Sequence, residues 1–196
     1  MTVDGYLSGP GASTAATALA LAKVRDAATV VLCEGISDQI ALETAAAGRG
    51  RDLGAERIVV VPIGGAHAIG GFLPRLGSVV RLAALCDLRE ADLFRRALHG
   101  TGHLGLFICV EDLEDELLRA VGTAAMEALA ESQGDLGALR SLRRQPAWRD
   151  RAPEAQVRRF LASGSRRKLR YARLLVEAAL HENALPPPLD ALLTAV

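Results

Sequence analysis

Two carboxylates follow a short apolar run near residue 30. The run Val30-Val31-Leu32-Cys33 leads into Glu34 and Gly35, and the helix expected next carries Asp38 in its first turn. A buried strand that ends in an exposed acid is how open α/β sheets build active sites at their carboxyl edge. Glu34 and Asp38 are therefore expected on either side of one tight turn, close enough to share a divalent cation.

Acids also follow two later apolar runs. Asp87 and Glu90 come after the third run, and Glu111 and Glu114 come after the fourth. The carboxyl ends of parallel strands lie at one edge of a sheet, so these acids are expected to share a face with Glu34. Hard oxygen ligands in this number suit Mg²⁺ or Mn²⁺. Two such metals about 4 Å apart would support in-line hydrolysis of a phosphodiester.

Each acid also has a purely structural interpretation. Asp38 favours a helix N-terminus through the helix dipole. Asp112 with Asp115 has the spacing of an N-cap, and Glu114 fits a solvated helix face. Capping explains one acid at a time, however, and an acid after each of three apolar runs favours a metal site.

The elements that must position these acids alternate between strands and helices. The apolar runs predict strands at Thr29–Cys33, Arg57–Ile63, Val79–Cys86 and Leu104–Val110. Helical patterns surround them at Ser13–Val24, Ser37–Ala47, Ala66–Leu76, Glu90–Leu98 and Asp112–Glu131. This alternation predicts an α/β fold with a mainly parallel four-stranded sheet covered by helices on both faces. Residues 1–12 are rich in Gly and Pro and are expected to be loose.

The pattern changes after Gly134. Three helices are predicted with no strand between them, at Leu136–Arg144, Pro153–Ser163 and Arg166–Leu180, and a short tail follows Pro188. We therefore predict two parts: an α/β domain over residues 1–134 and a basic helical region over residues 135–196 that packs on it.

Charge is divided unevenly although the net charge is zero. Residues 1–139 hold eighteen acids and eleven bases, whereas residues 140–196 hold five acids and twelve bases. This division favours a metal at one end and phosphate at the other. The densest basic stretch contains Arg166, Arg167, Lys168 and Arg170. A basic run is usually a solvated face, but beside an acidic metal site a groove for the backbone of DNA or RNA is the better explanation.

Composition limits the remaining classes. Aromatic residues make up 4% of the chain, too few for the base-stacking platforms of single-strand binders. Cys33, Cys86 and Cys109 each fall in an apolar run and match no zinc spacing, which favours reduced core residues in a cytoplasmic protein. No apolar run reaches the roughly 18 residues that a membrane span requires.

These residues carry a family resemblance. The stretch Val31-Leu32-Cys33-Glu34-Gly35-Ile36-Ser37-Asp38 resembles the first motif of the topoisomerase–primase (TOPRIM) domain, in the version found in overcoming-lysogenization-defect (OLD) family nucleases. Val60-Val61-Pro62-Ile63-Gly64-Gly65 resembles the strand end that follows in that family, and Leu85-Cys86-Asp87 falls where its Asp motif falls. The Gly64-Gly65 pair fits two roles equally: a turn, or a close approach of phosphate to the backbone. The resemblance spans about residues 28–180.

The resemblance implies a TOPRIM/Rossmann-like fold and a Mg²⁺-dependent nuclease. Glu34 would be a general acid/base or a metal ligand, and Asp38 and Asp87 would be metal ligands. Glu114, or with less support Glu111, would bind a second metal. Lys168 would lie near the scissile phosphate and stabilise developing charge.

Two departures from the family pattern leave alternatives open. The family has Asp-x-Asp, but here Leu88 and Arg89 follow Asp87, so Glu90 is the candidate for the second acid. The chain contains no Gly-x4-Gly-Lys-Ser/Thr sequence, so we expect a TOPRIM domain without the ATPase of OLD nucleases, and a separate ATPase partner is compatible with that reading. Nucleotidyl transfer is the rival activity. A nucleic-acid-binding or regulatory module with a degenerate site is the non-enzymatic rival, favoured by Arg89.

Overall fold

The computed structural model describes residues 2–3, 5–77 and 81–196. The strands in these ranges are β1 (Thr2–Val3), β2 (Tyr6–Leu7), β3 (Thr29–Cys33), β4 (Ile58–Pro62), β5 (Arg81–Asp87) and β6 (Gly105–Cys109). The α-helices are α1 (Ala12–Val24), α2 (Ile36–Gly48), α3 (Ile69–Phe72), α4 (Ala91–Leu98), α5 (Leu113–Ser132), α6 (Leu136–Arg143), α7 (Pro153–Ala162), α8 (Ser165–His181) and α9 (Pro187–Ala195). Short 3₁₀ turns occupy Ala66–Ala68, Leu73–Arg75 and Leu88–Glu90.

The main sheet has the strand order β4-β3-β5-β6, and every neighbouring pair is parallel. The prediction of a four-stranded parallel sheet is thereby confirmed. Leu32 of β3 pairs with Val61 of β4 and Ala84 of β5, so the carboxyl ends of these strands lie side by side. The predicted start of the third strand at Val79 lies outside the described residues.

Helices cover both faces of the sheet, as predicted. Successive residues of a strand point to opposite faces, and Val31 accordingly belongs to one buried cluster whereas Leu32 belongs to the other. The Leu32 side is covered by α1, α3 and α4, and the Val31 side is covered by α2 and α5 to α9. With helices on both faces every residue of β3 is buried, which is why its sequence is a continuous apolar run.

The C-terminal helices share a core with the sheet. Leu139 of α6, Phe160 of α7, Leu175 of α8 and Leu189 of α9 all lie in the same buried cluster as Val31. Helix α8 packs along α2, where Gly48 is in close contact with Leu180 because it has no Cβ. Helix α8, which belongs to the region from residue 135 onwards, therefore lies directly against α2, the helix that follows Glu34.

Three local features differ from the sequence-based expectations. Strands β1 and β2 pair in antiparallel fashion, where we predicted a loose segment, because two-residue strands are too short to give a periodic pattern. The tail after Pro188 continues as α9, since proline is tolerated in the first turn of a helix. The predicted helix Ala66–Leu76 is divided into three short pieces, because Gly70-Gly71 and Pro74 disfavour a continuous helix.

Helix α5 contains a break that its sequence pattern did not predict. Gly122 has φ 78° and ψ 163°, which is not helical. Only glycine adopts this conformation without strain. The first part of α5, which begins beside the end of β6, is therefore oriented separately from the second part.

The cysteines and the helices agree with two compositional expectations. Cys33, Cys86 and Cys109 are free thiols buried in the core. Burial raises the pKa of each thiol, and for Cys86 it reaches about 12. In the described part of the chain, no helix is both long enough and apolar enough to cross a membrane.

Candidate functional site

Glu34 is fixed by its own backbone. It follows β3 directly, and its carbonyl oxygen accepts hydrogen bonds from the N–H groups of Gly64 (3.1 Å) and Gly65 (3.0 Å). These glycines have φ values of 81° and 110°, a region that favours glycine. The Gly64-Gly65 pair thus forms a turn whose N–H groups bind the end of β3.

The side chain of Glu34 joins two strands. Its Oε1 accepts the backbone N–H of Asp87 at 3.0 Å, which ties the end of β3 to the end of β5. Asp38 lies in the first turn of α2, where its Oδ2 accepts the N–H of Gly35 at 2.8 Å. Such a bond satisfies an N–H that the helix itself cannot bind. The two acids of the first motif and Asp87 therefore surround one short turn.

The fourth acid comes from α5. Asp112 caps this helix, and its Oδ1 accepts the N–H of Asp115 at 2.8 Å. The cap places Glu114 in the first turn, where its carboxylate lies 3.1 Å from Lys168 Nζ of α8. The side chain of Glu114 is 13% exposed and that of Lys168 is 44% exposed. Lys168 thus reaches the acids from the basic helical region.

Burial and mutual repulsion disfavour the ionised form of these acids. Burial, followed by repulsion from Glu114, raises the pKa of Asp38 from 3.8 to about 7. Burial, followed by repulsion from Glu34 and Asp38, raises the pKa of Asp87 from 3.8 to about 8. Such shifts at a cleft are a common property of functional carboxylates. We call Glu34, Asp38, Asp87 and Glu114 the inner set.

The pKa values of Glu34 and Lys168 are also raised. Burial raises the pKa of Glu34, the Asp87 N–H lowers it, and the nearby charge of Glu90 raises it again. Burial opposes the charge of Lys168, but attraction to Glu114 and Asp38 outweighs it and raises the pKa of the ammonium group. Lys168 therefore remains charged and partly offsets the repulsion among the acids.

The neighbouring acids are neutralised by arginines. We call Glu111, Asp112, Asp115 and Glu116 the outer set. Glu111 and Arg89 form an exposed ion pair at 3.1 Å. Arg89 is the residue that stands in place of the second Asp of the family motif. Glu90, in the 3₁₀ turn after β5, acts electrostatically on Glu34 instead. Glu90 and Glu111 are the two alternative candidates for a further metal ligand. Of these, Glu90 is the one whose charge acts on a member of the inner set.

Two arginines that sequence reasoning did not single out hold the rest of the outer set. Arg158 of α7 pairs with Asp112 at 2.6 Å and Asp115 at 3.6 Å, and Arg119 pairs with Asp115 at 3.0 Å and Glu116 at 2.8 Å. The i+3 and i+4 spacing before Arg119 is a signal that could have revealed its pairs. Arg158 is one of twelve bases in its region, and nothing in the sequence distinguishes it.

The predicted phosphate-binding arginines of α8 divide into two kinds. Arg167 stacks over the Phe160 ring at 4.2 Å and pairs with Asp135 at 3.6 Å, and Arg170 pairs with Asp135 at 3.8 Å. These two arginines tie α8 to α7 and to the start of α6. Arg166 is exposed. Lys168 contacts the inner set, so the basic stretch serves packing as well as surface charge.

The chemistry of the inner set fits a hard divalent cation. Its donors are carboxylate oxygens, the ligands that Mg²⁺ and Mn²⁺ prefer, and a positive charge beside Asp38 and Asp87 would offset the repulsion that raises the pKa of each. Within residues 2–3, 5–77 and 81–196, no three Cys, His, Asp or Glu side chains already converge as a metal cluster. Cation binding would therefore require these side chains to turn toward a common point.

Comparisons with known proteins give a family match for part of the chain and structural neighbours for its fold. Residues 27–87 match the family model described as the TOPRIM domain of overcoming lysogenization defect protein-like proteins. The C-terminal region of the Burkholderia pseudomallei OLD protein is similar in structure, with a TM-score of 0.59 and 17% identity, over 86% of this chain and 98% of that one. The corresponding region of the Xanthomonas campestris pv. campestris OLD protein has a TM-score of 0.52 and 18% identity, over 88% and 97%.

A search of curated protein sequences gave no match. The matched segment contains Glu34, Asp38 and Asp87. At these identities the structural likeness shows the fold alone. Residues 27–87 therefore match the OLD-like TOPRIM domain model, and the chain has the fold of an OLD C-terminal region.

Proposed function

We propose that this protein is a Mg²⁺-dependent nuclease that hydrolyses phosphodiester bonds of DNA or RNA at the inner set. One observation carries the proposal. Carboxylates at the ends of β3 and β5 and in the first turns of α2 and α5 lie at one edge of the sheet, the pKa values of Glu34, Asp38 and Asp87 are raised, and Lys168 lies beside Glu114. A structural role alone would favour neutralised acids, as in the outer set, because unpaired buried charge destabilises a fold.

The inner set would hold Mg²⁺ or Mn²⁺, with Glu90 as the candidate replacement for the second Asp of the family motif. Bound metal supplies Lewis-acid polarisation of a phosphoryl oxygen and makes water a stronger acid. Glu111 is the weaker candidate, because its carboxylate already pairs with Arg89.

The chain's own groups have separate tasks. Glu34 Oε1 is engaged by the Asp87 N–H, which leaves Oε2 to bind metal or to accept a proton from an attacking water. Its raised pKa makes it a better proton acceptor than an ordinary glutamate. Lys168 Nζ, 3.1 Å from Glu114, is a positive charge that a scissile phosphate would meet.

Incubation with plasmid DNA and with RNA in Mg²⁺ or Mn²⁺ tests the proposal. Glu34→Gln and Asp87→Asn keep size and shape but remove charge from the inner set. Asp92→Asn is the matched control, since Asp92 is 80% exposed and pairs with Arg95 outside the site. We expect cleavage by the parent and the control, and a loss of about 100-fold or more in both inner-set variants.

The same experiment separates the rival functions. Binding without cleavage, unchanged in Glu34→Gln and Asp87→Asn, would exclude the nuclease and favour a non-catalytic module. Incorporation of labelled nucleotide into a polymer, lost in both variants, would favour nucleotidyl transfer.

A further inference from the structure

The two lateral edges of the main sheet are finished differently. At the β4 edge, the N–H of Ile58 donates to the carbonyl of Leu53 at 2.7 Å, and the carbonyl of Pro62 accepts from Thr17 Oγ1. Pro62 has no N–H to offer. Both ends of this edge are therefore engaged within the chain, which is a common defence against strand addition.

The β6 edge is open over its middle. Backbone groups alternate between the two sides of a strand in a parallel ladder. Arg81 N–H donates to Ala28 at 3.2 Å, so alternate residues of β5 from Arg81 face β3 and the intervening ones face β6. With the observed β5–β6 register, this alternation directs the backbone groups of Leu106 and Ile108 away from the sheet.

The two ends limit the length of the open edge. At the carboxyl end the N–H of Val110 points the same way as the outward groups of Leu106 and Ile108, and it donates to Glu116 Oε1 at 2.8 Å. At the amino end the N–H of Leu104 points into the sheet instead and donates to the carbonyl of Leu82 at 2.6 Å. Cavities of about 610 Å³ beside α4 and about 510 Å³ beside Pro186–Pro188 both border Ile108 at this edge.

The side chains along β6 are apolar, with basic side chains near the amino end of the strand and an acid after its carboxyl end. Leu104 is 37% exposed and Val110 is 54% exposed, and the run between them carries no charge and no proline. The amino end of the strand lies beside His99 and His103 with Arg95 nearby, whereas Glu111 follows its carboxyl end. Such a strand is complementary to itself when it is turned around.

We propose that β6 pairs in antiparallel fashion with β6 of a second copy of this chain. With Phe107 at the twofold axis, Leu106 of one copy lies opposite Ile108 of the other, so their outward backbone groups meet. The same register sets the exposed Leu104 against the exposed Val110, and His103 against Glu111. The two four-stranded sheets join into one, and a dimer with this symmetry closes without exposing a further edge.

Complementary charges at the proposed contact give a direct test. Leu104→Asp and Val110→Lys each disrupt the apolar pair in a homodimer, on residues exposed enough to leave the fold intact. In a mixture of the two variants, Asp at 104 meets Lys at 110 once and the native pair forms once. Leu19→Asp is the matched control, because Leu19 is 59% exposed but lies on α1.

Sedimentation equilibrium between 1 and 100 µM, with circular dichroism to confirm folding, measures the result. We expect a dimer for the parent and for Leu19→Asp, at least a tenfold rise in Kd for each β6 variant, and restored dimer in the mixture. Hydrogen exchange at the Leu106 and Ile108 amides should slow as parent concentration rises. A monomeric parent at 100 µM, dimers unaffected by both β6 variants, or a mixture that stays monomeric would each overturn the proposal.

Discussion

The inner and outer carboxylate sets lie at the same edge of the sheet, and Glu114 of the inner set is flanked in sequence by members of the outer set. Their electrostatic states nevertheless differ. Outer-set acids pair with Arg89, Arg119 or Arg158, whereas the inner set has Lys168 beside Glu114 and raised pKa values at Glu34, Asp38 and Asp87. Acidic density therefore does not identify the candidate site; incomplete neutralisation does.

The largest expected effect is on the pH dependence of stability in the metal-free protein. The pKa of Asp38 is raised from 3.8 to about 7. A group with a raised folded-state pKa contributes stability that is fully present below its unfolded pKa and lost as pH rises through the folded pKa. Asp38→Asn removes this loss, so the parent should become less stable than the variant by on the order of 4 kcal/mol between pH 4 and 8.

Urea unfolding in EDTA from pH 4 to 9 measures this difference. Asp92→Asn, which removes an exposed acid, should follow the parent at every pH. If the free energies of unfolding of the parent and of Asp38→Asn change in parallel with pH, the proposed electrostatic difference between the inner and outer sets is contradicted.

Magnesium should stabilise the protein through the inner set only. At a free concentration 100-fold above Kd, one bound ion adds about 2.7 kcal/mol to the free energy of unfolding. Asp87→Asn should lose this gain, whereas Asp112→Asn in the outer set should keep it. The gain should be larger at pH 8 than at pH 6, because Mg²⁺ binds ionised carboxylates.

Thermal unfolding with and without Mg²⁺ tests this expectation. Equal stabilisation of both variants would place the ion elsewhere, and loss only in Asp112→Asn would reverse the assignment.

Removal of Lys168 should destabilise the metal-free protein by a smaller amount. Lys168→Met leaves the buried Glu114 carboxylate without its partner at 3.1 Å. A fully buried pair would cost about 3–5 kcal/mol, but Lys168 is 44% exposed, so about 1–2 kcal/mol is expected. Addition of Glu114→Gln should recover most of the loss, since it removes the unpaired charge.

Lys23→Met is the matched control, because Lys23 is the chain's other lysine and is exposed. Urea unfolding of the three variants decides the outcome, and equal losses for Lys23→Met and Lys168→Met would contradict it.

The smallest effect is expected for the outer set. Arg158→Ala removes the pairs with Asp112 and Asp115, and ion pairs this exposed contribute about 1 kcal/mol or less. The loss should shrink further in 1 M NaCl, which screens exposed charges. Arg159→Ala, at an exposed neighbouring position, serves as the control. A loss of several kcal/mol would mean that the outer set is as critical to folding as a buried pair.

Local patterns were sufficient for the sheet and for the identity of the acids. The bounds of β3 and its carboxyl-terminal Glu34 follow from an apolar run that both faces of a parallel sheet require. Parallel strand ends share an edge, so Asp87 and the start of α5 could be placed beside Glu34 in advance. The paired strands β1 and β2 and helix α9 were not predicted, because two-residue strands and a proline-led helix give weak local signals.

The groups that each arginine contacts could not be predicted from local patterns. Arg158 and Arg167 belong to one basic stretch with similar neighbours, yet Arg158 binds outer-set acids and Arg167 packs on Phe160. The difference arises because Arg158 is on α7, within reach of the start of α5, whereas Arg167 is on α8, where it packs against α7.

The sequence by itself determined the parallel α/β sheet, the buried cysteines and the set of acids at its carboxyl edge, because each depends on periodicity or on position at a strand end. Only the tertiary structure decided which acids are neutralised, that Lys168 contacts Glu114, and that the β6 edge stays open while the β4 edge is engaged. These properties depend on distances between groups far apart in the chain, and side-chain charge and backbone pairing both act through such distances.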